Sequence, residues 1–441
     1  MTRSAGGIGV AVRRWGGRGF WAILDQGSFA GANFLLNVLL ARWLAPEDYG
    51  GFAVAFSLFL LLSTFHAALL IEPMLVFGSG RYSETFDRYL ALLLRAHVVV
   101  SLAITAALLA TAAGFALAFG VDERTPTLVA LAAASPFVLF QWLMRRSCYV
   151  HMNPRAAALA GSGYLAAVVA GAAALFHFGL LSAVTAIGLM ALASLLAGLA
   201  IWRRPRPLGA DIGLLSPFGR EVLREHWRYG RWATASAALT WVPGNLFYVV
   251  LPARAGLDAT AALRAVVNLT IPVVQFGGAF GTILLPAMVR ARGTGALARL
   301  ARNAVALFAA MALAYYGFLL AFAEPLMAWL YAGRYDAYSG IIWVVGLLPL
   351  TAGLTMVFGA VLRACEAPAL VFWSYVASSA VAVLLVATLL GPFGVVGGAF
   401  GMVAASLTTA LAMAAFVAWL GRGRAVEPRP RRGATVEGGP S

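Results

Sequence analysis

Hydrophobic positions in this chain do not alternate with polar ones. They gather into twelve long runs, at 20–41, 51–77, 90–119, 127–147, 156–178, 181–202, 230–251, 261–289, 299–322, 340–362, 369–390 and 396–420. A helix that crosses a bilayer takes about 20 mostly apolar residues, so each run predicts one spanning helix. Barrel strands would be about 10 residues long with clear alternation, and these runs are too long and too uniform for that. Arg13 and Arg14 precede the first run in the manner of a signal peptide. That run is too long for an h-region and holds Asp25, Gln26, Asn33 and Asn37, so it is expected to stay as an uncleaved first span.

Composition agrees with the pattern. The 441 residues are 62% hydrophobic and 11% charged, against about 25% charged in a soluble domain. The net charge is +15 and comes entirely from arginine, without one lysine. On a soluble protein this charge would suggest nucleic acid; in short segments between apolar runs it follows the positive-inside rule. The alternate segments beginning at the N-terminus hold 26 arginines and the other set holds 5, with Arg95 inside a span. The expected topology therefore has both termini in the cytoplasm. Cys148 and Cys365 lie near arginines at expected cytoplasmic helix ends, which gives no sign of a disulfide.

The longest polar connection divides the runs six and six. The expected organisation is a basic N-terminus at 1–19, a six-helix bundle at 20–202, a linker at 203–229, a second bundle at 230–420 and a disordered tail at 421–441. Within the linker, Gly219–Trp227 is expected to form a short amphipathic surface helix. Arg146, Ser147 and Cys148 before Pro154 match Arg363, Ala364 and Cys365 before Pro368 at an offset of 217 residues, and Asp48 matches Asp258 at 210. Six spans is an even number, so duplicated halves share one orientation, a parallel repeat around a central cavity. The fold class is an all-α membrane protein of two six-helix bundles, an arrangement suited to a transporter.

Polar residues within spans locate the candidate chemistry, because a charge at mid-membrane usually faces a cavity or a partner. Asp25, Glu72 and Arg95 fall at one depth and are expected to cluster, either as a structural ion pair or as a proton- or cation-coupling site. Pro73 frees a backbone carbonyl beside Glu72. At 100° per residue, Gln26, Asn33 and Asn37 share one face of the first span, and Arg264, Asn268 and Gln275 one face of the eighth. Trp241, Asn245 and Tyr248 share a face of the seventh. Arginine, amides and aromatics are the side chains that hold phosphate and stack on sugar. The other reading of Arg264 is that it reaches the outer headgroups. His66 and His97 are either a helix contact or a proton relay, and the five histidines lack metal spacing. No Gly-rich loop precedes a lysine, so ATP hydrolysis is not expected. The outer carboxylates are scattered over short loops, and no enzyme activity, cofactor or metal is expected.

Several short stretches in order resemble the polysaccharide flippases of the multidrug/oligosaccharidyl-lipid/polysaccharide exporter superfamily. They are Asp25-Gln26, Asn33-Phe34, Ala41-Arg42, Leu44 and Tyr49-Gly50; Glu72-Pro73; Leu263 to Ala265, Pro272 and Leu285-Pro286; Tyr331 to Tyr335; and Gly394 to Gly397. The resemblance runs from about Asp25 to Trp419. It implies a flippase for undecaprenyl-pyrophosphate-linked sugars, working by alternating access among membrane lipids, with a polysaccharide polymerase and glycosyltransferases as partners. It maps Arg264 onto a recurring span-8 arginine, and Asp25 and Glu72 onto recurring carboxylates. A multidrug exporter of the same superfamily is the alternative, with a membrane glycosyltransferase or polymerase behind it. Peptidoglycan-precursor flippases commonly carry two further spans.

Overall fold

In the computed structural model, which describes residues 5–150, 153–202, 213–292 and 296–423, the hydrophobic runs are helices and no strand occurs among the described residues. The first bundle comprises span 1 (Ala5–Trp43), span 2 (Pro46–Ser79), span 3 (Phe86–Phe119), span 4 (Arg124–Val150), span 5 (Pro154–His177) and span 6 (Ala183–Ile201). The second comprises span 7 (Pro217–Val250), span 8 in two pieces (Pro252–Asn268 and Ile271–Ala291), span 9 (Ala296–Tyr331), span 10 (Asp336–Ala364), and spans 11 and 12 within Pro368–Gly423. The last two form one unbroken helical element apart from Gly394, whose φ of 49° is left-handed backbone that suits glycine. That break turns the chain back on itself: Ser378 Oγ donates to the Ala405 carbonyl at 2.6 Å, 27 residues away.

We call the end bearing the arginine-rich segments the basic face. The linker expected at 203–229 divides in the structure. Residues 203–212 lie outside the described residues, and from Pro217 the chain is already span 7. Gly219–Trp227 is thus the foot of a 34-residue helix, not a separate surface helix. It is held because it has partners in the first bundle: Arg81 pairs with Glu221 at 2.6 Å and also with Glu225, and Tyr82 donates to Glu225 at 2.8 Å. Of the tail expected to be disordered at 421–441, residues 421–423 end the last helix instead, and 424–441 lie outside the described residues.

Prolines inside the spans show why these helices meet where they do. A proline cannot donate to the carbonyl four residues back, and in a bilayer that carbonyl needs another donor. Pro73 frees the Leu69 carbonyl, which lies within a π-helical turn at Ala67–Ile71 and accepts from His226 Nδ1 at 2.8 Å. Pro136 frees Ala132, which accepts from Thr105 at 3.0 Å. Pro243 frees Leu239, which accepts from Ser379 at 3.1 Å. Each proline so ties its span to a neighbour. Apolar side chains such as Leu102, Leu117, Leu192 and Leu384 remain exposed on the outer surfaces, where hydrocarbon replaces water as the solvent.

Candidate functional site

A cavity of about 700 Å³ lies between the bundles. Span 1 contributes Phe29, Asn33 and Asn37 to its wall, span 2 contributes Phe56 and Leu60, and span 4 contributes Trp142. Across the gap stand Thr240, Pro243 and Gly244 of span 7, Arg264 and Gln275 of span 8, Arg363 of span 10, Tyr375 of span 11 and Thr409 of span 12. The first-bundle wall is aromatic: Trp142 meets Phe29 edge to face, with ring centres 6.0 Å apart. The second-bundle wall carries the charge. Its two arginines are the charged groups of the described lining, and no carboxylate joins them there.

The end away from the basic face is closed by contacts between bundles. Asn268 Nδ2 donates to the Tyr49 hydroxyl at 2.7 Å, and that hydroxyl donates to Asn37 Oδ1 at 3.4 Å. Arg264 Nε reaches the same Asn37 oxygen at 3.4 Å. Arg42 donates to the Trp329 carbonyl at 2.6 Å, and Arg334 to that of Leu44. Backbones touch here as well: a Cβ on Gly50 would lie 2.0 Å from the Leu257 carbonyl oxygen, so only glycine permits this approach. From this closure the cavity extends to Arg363 in the last turn of span 10 at the basic face.

Arg264 is 8% exposed, so it does not reach the headgroups. Its guanidinium sits 5.2 Å from the Tyr248 ring centre, and its hydrogen bond to Asn37 is long. No carboxylate among the described residues pairs with it. A buried cation on the wall of a cavity, without a carboxylate beside it, has the chemistry to accept an anion.

The expected Asp25–Arg95–Glu72 cluster does not form. Asp25 is fully buried and pairs with Arg145 Nε at 2.7 Å, and Tyr149 donates to its other oxygen at 2.6 Å. Arg95 is exposed on span 3, two residues from buried His97 and so on the other side of the helix. Glu72 is exposed near the basic face. Depth along a span does not specify which way a helix face points. The Asp25–Arg145 pair stands behind the cavity wall: the Arg145 guanidinium lies 4.2 Å from the centre of the Phe29 ring.

The three amides of span 1 also separate. Asn33 and Asn37 line the cavity, whereas Gln26 accepts from Arg145 at 3.2 Å. On span 8, Arg264 and Gln275 line the cavity, but the helix breaks at Leu269–Thr270 and Asn268 is buried in the closure. Span 7 turns a different face inward than expected. Trp241 donates to the Ser57 carbonyl at 2.7 Å, Asn245 to the Trp241 carbonyl at 3.2 Å, and Tyr248 lies beneath Arg264. His66 and His97 share a hydrogen bond of 2.9 Å inside the first bundle, away from the cavity lining. No group of three metal-binding side chains occurs among the described residues. Arg363 and Arg145 were missed because both read as loop charges at span ends.

Solved structures share this fold. An inward-facing multidrug resistance MATE family transporter of the MOP superfamily aligns with a TM-score of 0.71 at 17% identity, covering 91% of this chain and 99% of that one. An outward-facing structure with the same description gives 0.68 at 15%, covering 92% and 96%. A MOP superfamily transporter from Pyrococcus furiosus, described as having a binding pocket of reverse polarity that suggests a different function, gives 0.63 at 16%, covering 91% and 94%. No curated protein matches the chain. The sequence profile described as Polysaccharide biosynthesis protein matches residues 18–292, which takes in the first bundle from residue 18 onward, the Tyr49–Asn268 closure and Arg264. With well over half of its length covered, this multi-pass membrane protein belongs to the Polysaccharide biosynthesis protein family.

Proposed function

We propose that the protein is a flippase that carries a lipid-linked oligosaccharide, with pyrophosphate joining sugar to lipid, across the bacterial cytoplasmic membrane. The observation that carries this reading is Arg264, a buried arginine on a cavity wall with no carboxylate to neutralise it. The pyrophosphate supplies the missing anion, and its oxygens match the fork of a guanidinium. The first sugars lie against Trp142, Phe29 and Phe56, whose ring faces suit their apolar surfaces. The lipid tail stays in the bilayer. The arginine-rich face is cytoplasmic by the positive-inside rule, so the cavity here opens toward the side where such a substrate is made. Transport then needs no bond to be broken, and the protein is not an enzyme. A polysaccharide polymerase and glycosyltransferases supply and consume the substrate. Export of cationic drugs fits poorly with a described cavity lining that has arginines and no carboxylate.

The test is surface polysaccharide in a strain lacking its own flippase, with protein level measured alongside. Arg264→Ala is expected to abolish it and Arg264→Lys to restore it in part, because lysine lacks the bidentate geometry. Asn268→Ala and Trp241→Ala are expected to give milder losses, since these side chains pack around the cavity without lining it. Normal polysaccharide from a well-expressed Arg264→Ala protein defeats the proposal; altered resistance to cationic dyes with unaffected polysaccharide identifies a drug exporter.

A further inference from the structure

The foot of span 7 has two distinct faces. At 100° per residue, Phe218, Val222, His226 and Gly230 fall on one side. Val222, His226 and Gly230 are buried there against the first bundle, and a Cβ on Gly230 would lie 2.7 Å from the Ala68 carbonyl oxygen. Arg220, Arg224, Trp227 and Arg228 fall on the other side, within about 100° of arc. All four are exposed, Trp227 by 61%.

The two carboxylates of this segment do not neutralise those arginines. Glu221 and Glu225 both pair with Arg81 of the loop between spans 2 and 3. Arg220, Arg224 and Arg228 enter no ion pair among the described residues. Glu221 precedes Arg224 by three residues, and Glu225 precedes Arg228 by three, the spacing at which helical side chains meet. By holding both acids, Arg81 keeps the outer face cationic.

The depth of this face follows from its contacts. Phe218 and His226 are eight residues apart, about 12 Å of helix, yet they meet consecutive residues at the start of span 3. The Arg88 guanidinium lies 4.3 Å from the Phe218 ring centre, and Tyr89 bonds to His226 at 2.6 Å. The foot therefore crosses the end of span 3 instead of running alongside it. The apolar run of span 3 begins at residue 90, which places the crossing at the edge of the hydrocarbon, in the headgroup layer.

We propose that the outer face of this foot is a binding surface for anionic phospholipids, with Arg220, Arg224 and Arg228 on their phosphates and Trp227 among the headgroups. Arginines near a charged bilayer surface attract anionic lipid, and tryptophan favours the same layer. A free phosphate would satisfy the arginines and leave Trp227 in water, whereas a lipid headgroup satisfies both. None of the four residues belongs to the described cavity lining, so the surface is independent of what the cavity carries.

The test places the purified full-length protein in nanodiscs of phosphatidylcholine, with or without phosphatidylglycerol, and reads hydrogen exchange in 217–230. Phosphatidylglycerol is expected to protect this segment, and inorganic phosphate added to the phosphatidylcholine discs is not. Arg220→Gln, Arg224→Gln and Arg228→Gln together are expected to abolish the difference between the two bilayers. Arg224→Gln alone is expected to raise the phosphatidylglycerol content needed for half protection by roughly fivefold. Arg299→Gln with Arg302→Gln, exposed on the basic face of the second bundle, is expected to leave it unchanged. Arg81→Ala is expected to weaken the phosphatidylglycerol-dependent protection by releasing the two acids, and adding Glu221→Gln and Glu225→Gln to restore it. Equal protection by the two bilayers, or equal protection by inorganic phosphate, overturns the proposal. So does a loss in the Arg299 and Arg302 variant as large as that in the triple variant. Where the triple variant folds poorly, Arg224→Gln decides, and an unshifted lipid requirement overturns the proposal.

Discussion

Asp25 illustrates what a single buried charge demands. It has 0% exposure and two groups answer it: Arg145 and Tyr149 donate to its oxygens, while Gln26 takes a remaining donor of Arg145. Removing one partner strands the other charge in a low-dielectric interior, a loss of about 3–5 kcal/mol for buried pairs. Arg145→Ala is therefore expected to lower the thermal midpoint of the purified protein sharply, and Asp25→Ala with Arg145→Ala together to cost less than the two single changes added. Additive losses would show that the two groups act independently. A second carboxyl behaves differently. At the end away from the basic face, a hydrogen bond with Asp48, then burial and neighbouring carboxylates, raise the Glu123 carboxyl above its usual range. A raised acid favours its protonated form in the fold, so its contribution is present at acid pH and lost as pH rises through the raised value. Glu123→Gln is expected to raise the thermal midpoint slightly at neutral pH and to leave it unchanged near pH 4. An equal gain at both values would point to packing.

Among the elements, span 7 is the one that joins the halves. Its foot is fastened to the first bundle by His226, which donates through Nδ1 to the carbonyl freed by Pro73 and accepts through Nε2 from Tyr89 at 2.6 Å. That arrangement uses neutral imidazole. Burial holds His226 below the ordinary value of 6.5, with the Leu69 carbonyl and Glu225 pulling the other way. A lowered histidine stabilises the fold above that value, and the contribution is lost as pH falls below it. Protection of 217–230 against hydrogen exchange, taken relative to the intrinsic rate at each pH, is expected to fall from about pH 7.5 to about pH 5.5, and His226→Gln to remove this pH dependence. Exchange with the same pH profile in both proteins would assign the effect to the neighbouring Arg81, Glu221 and Glu225 pairs.

At the scale of the molecule, the far-end closure depends on one missing side chain. Gly50 lets the start of span 2 rest against the backbone at Leu257, and any Cβ there must push the bundles apart. Gly50→Leu is expected to fold, to hold the far end open and to lose transport. A cysteine at Asn37 should then react with an impermeant reagent from outside the cell. An unlabelled Asn37→Cys in that background would show that the bundles do not move as two bodies.

Composition and periodicity were enough to establish twelve spans, two halves, the basic face and the place of Arg264 within a span, because each depends on what a bilayer demands of a segment wherever its neighbours lie. Asn33, Asn37, Arg264 and Gln275 were legible for the same reason: polar groups in long apolar runs need a cavity or a partner. Which partner was a tertiary decision. Asp25 and Arg145 are 120 residues apart, Asn37 and Arg264 are 227, and Asn268 and Tyr49 are 219. Hydrophobic pattern sets depth along a helix, but azimuth is set by the packing of spans against one another, and that packing turned Arg95 and Trp241 away from the sites their depth suggested. The aromatic wall and Arg363 became visible only once two bundles enclosed a space, since neither a tryptophan in an apolar run nor an arginine at a helix end departs from what any membrane protein carries.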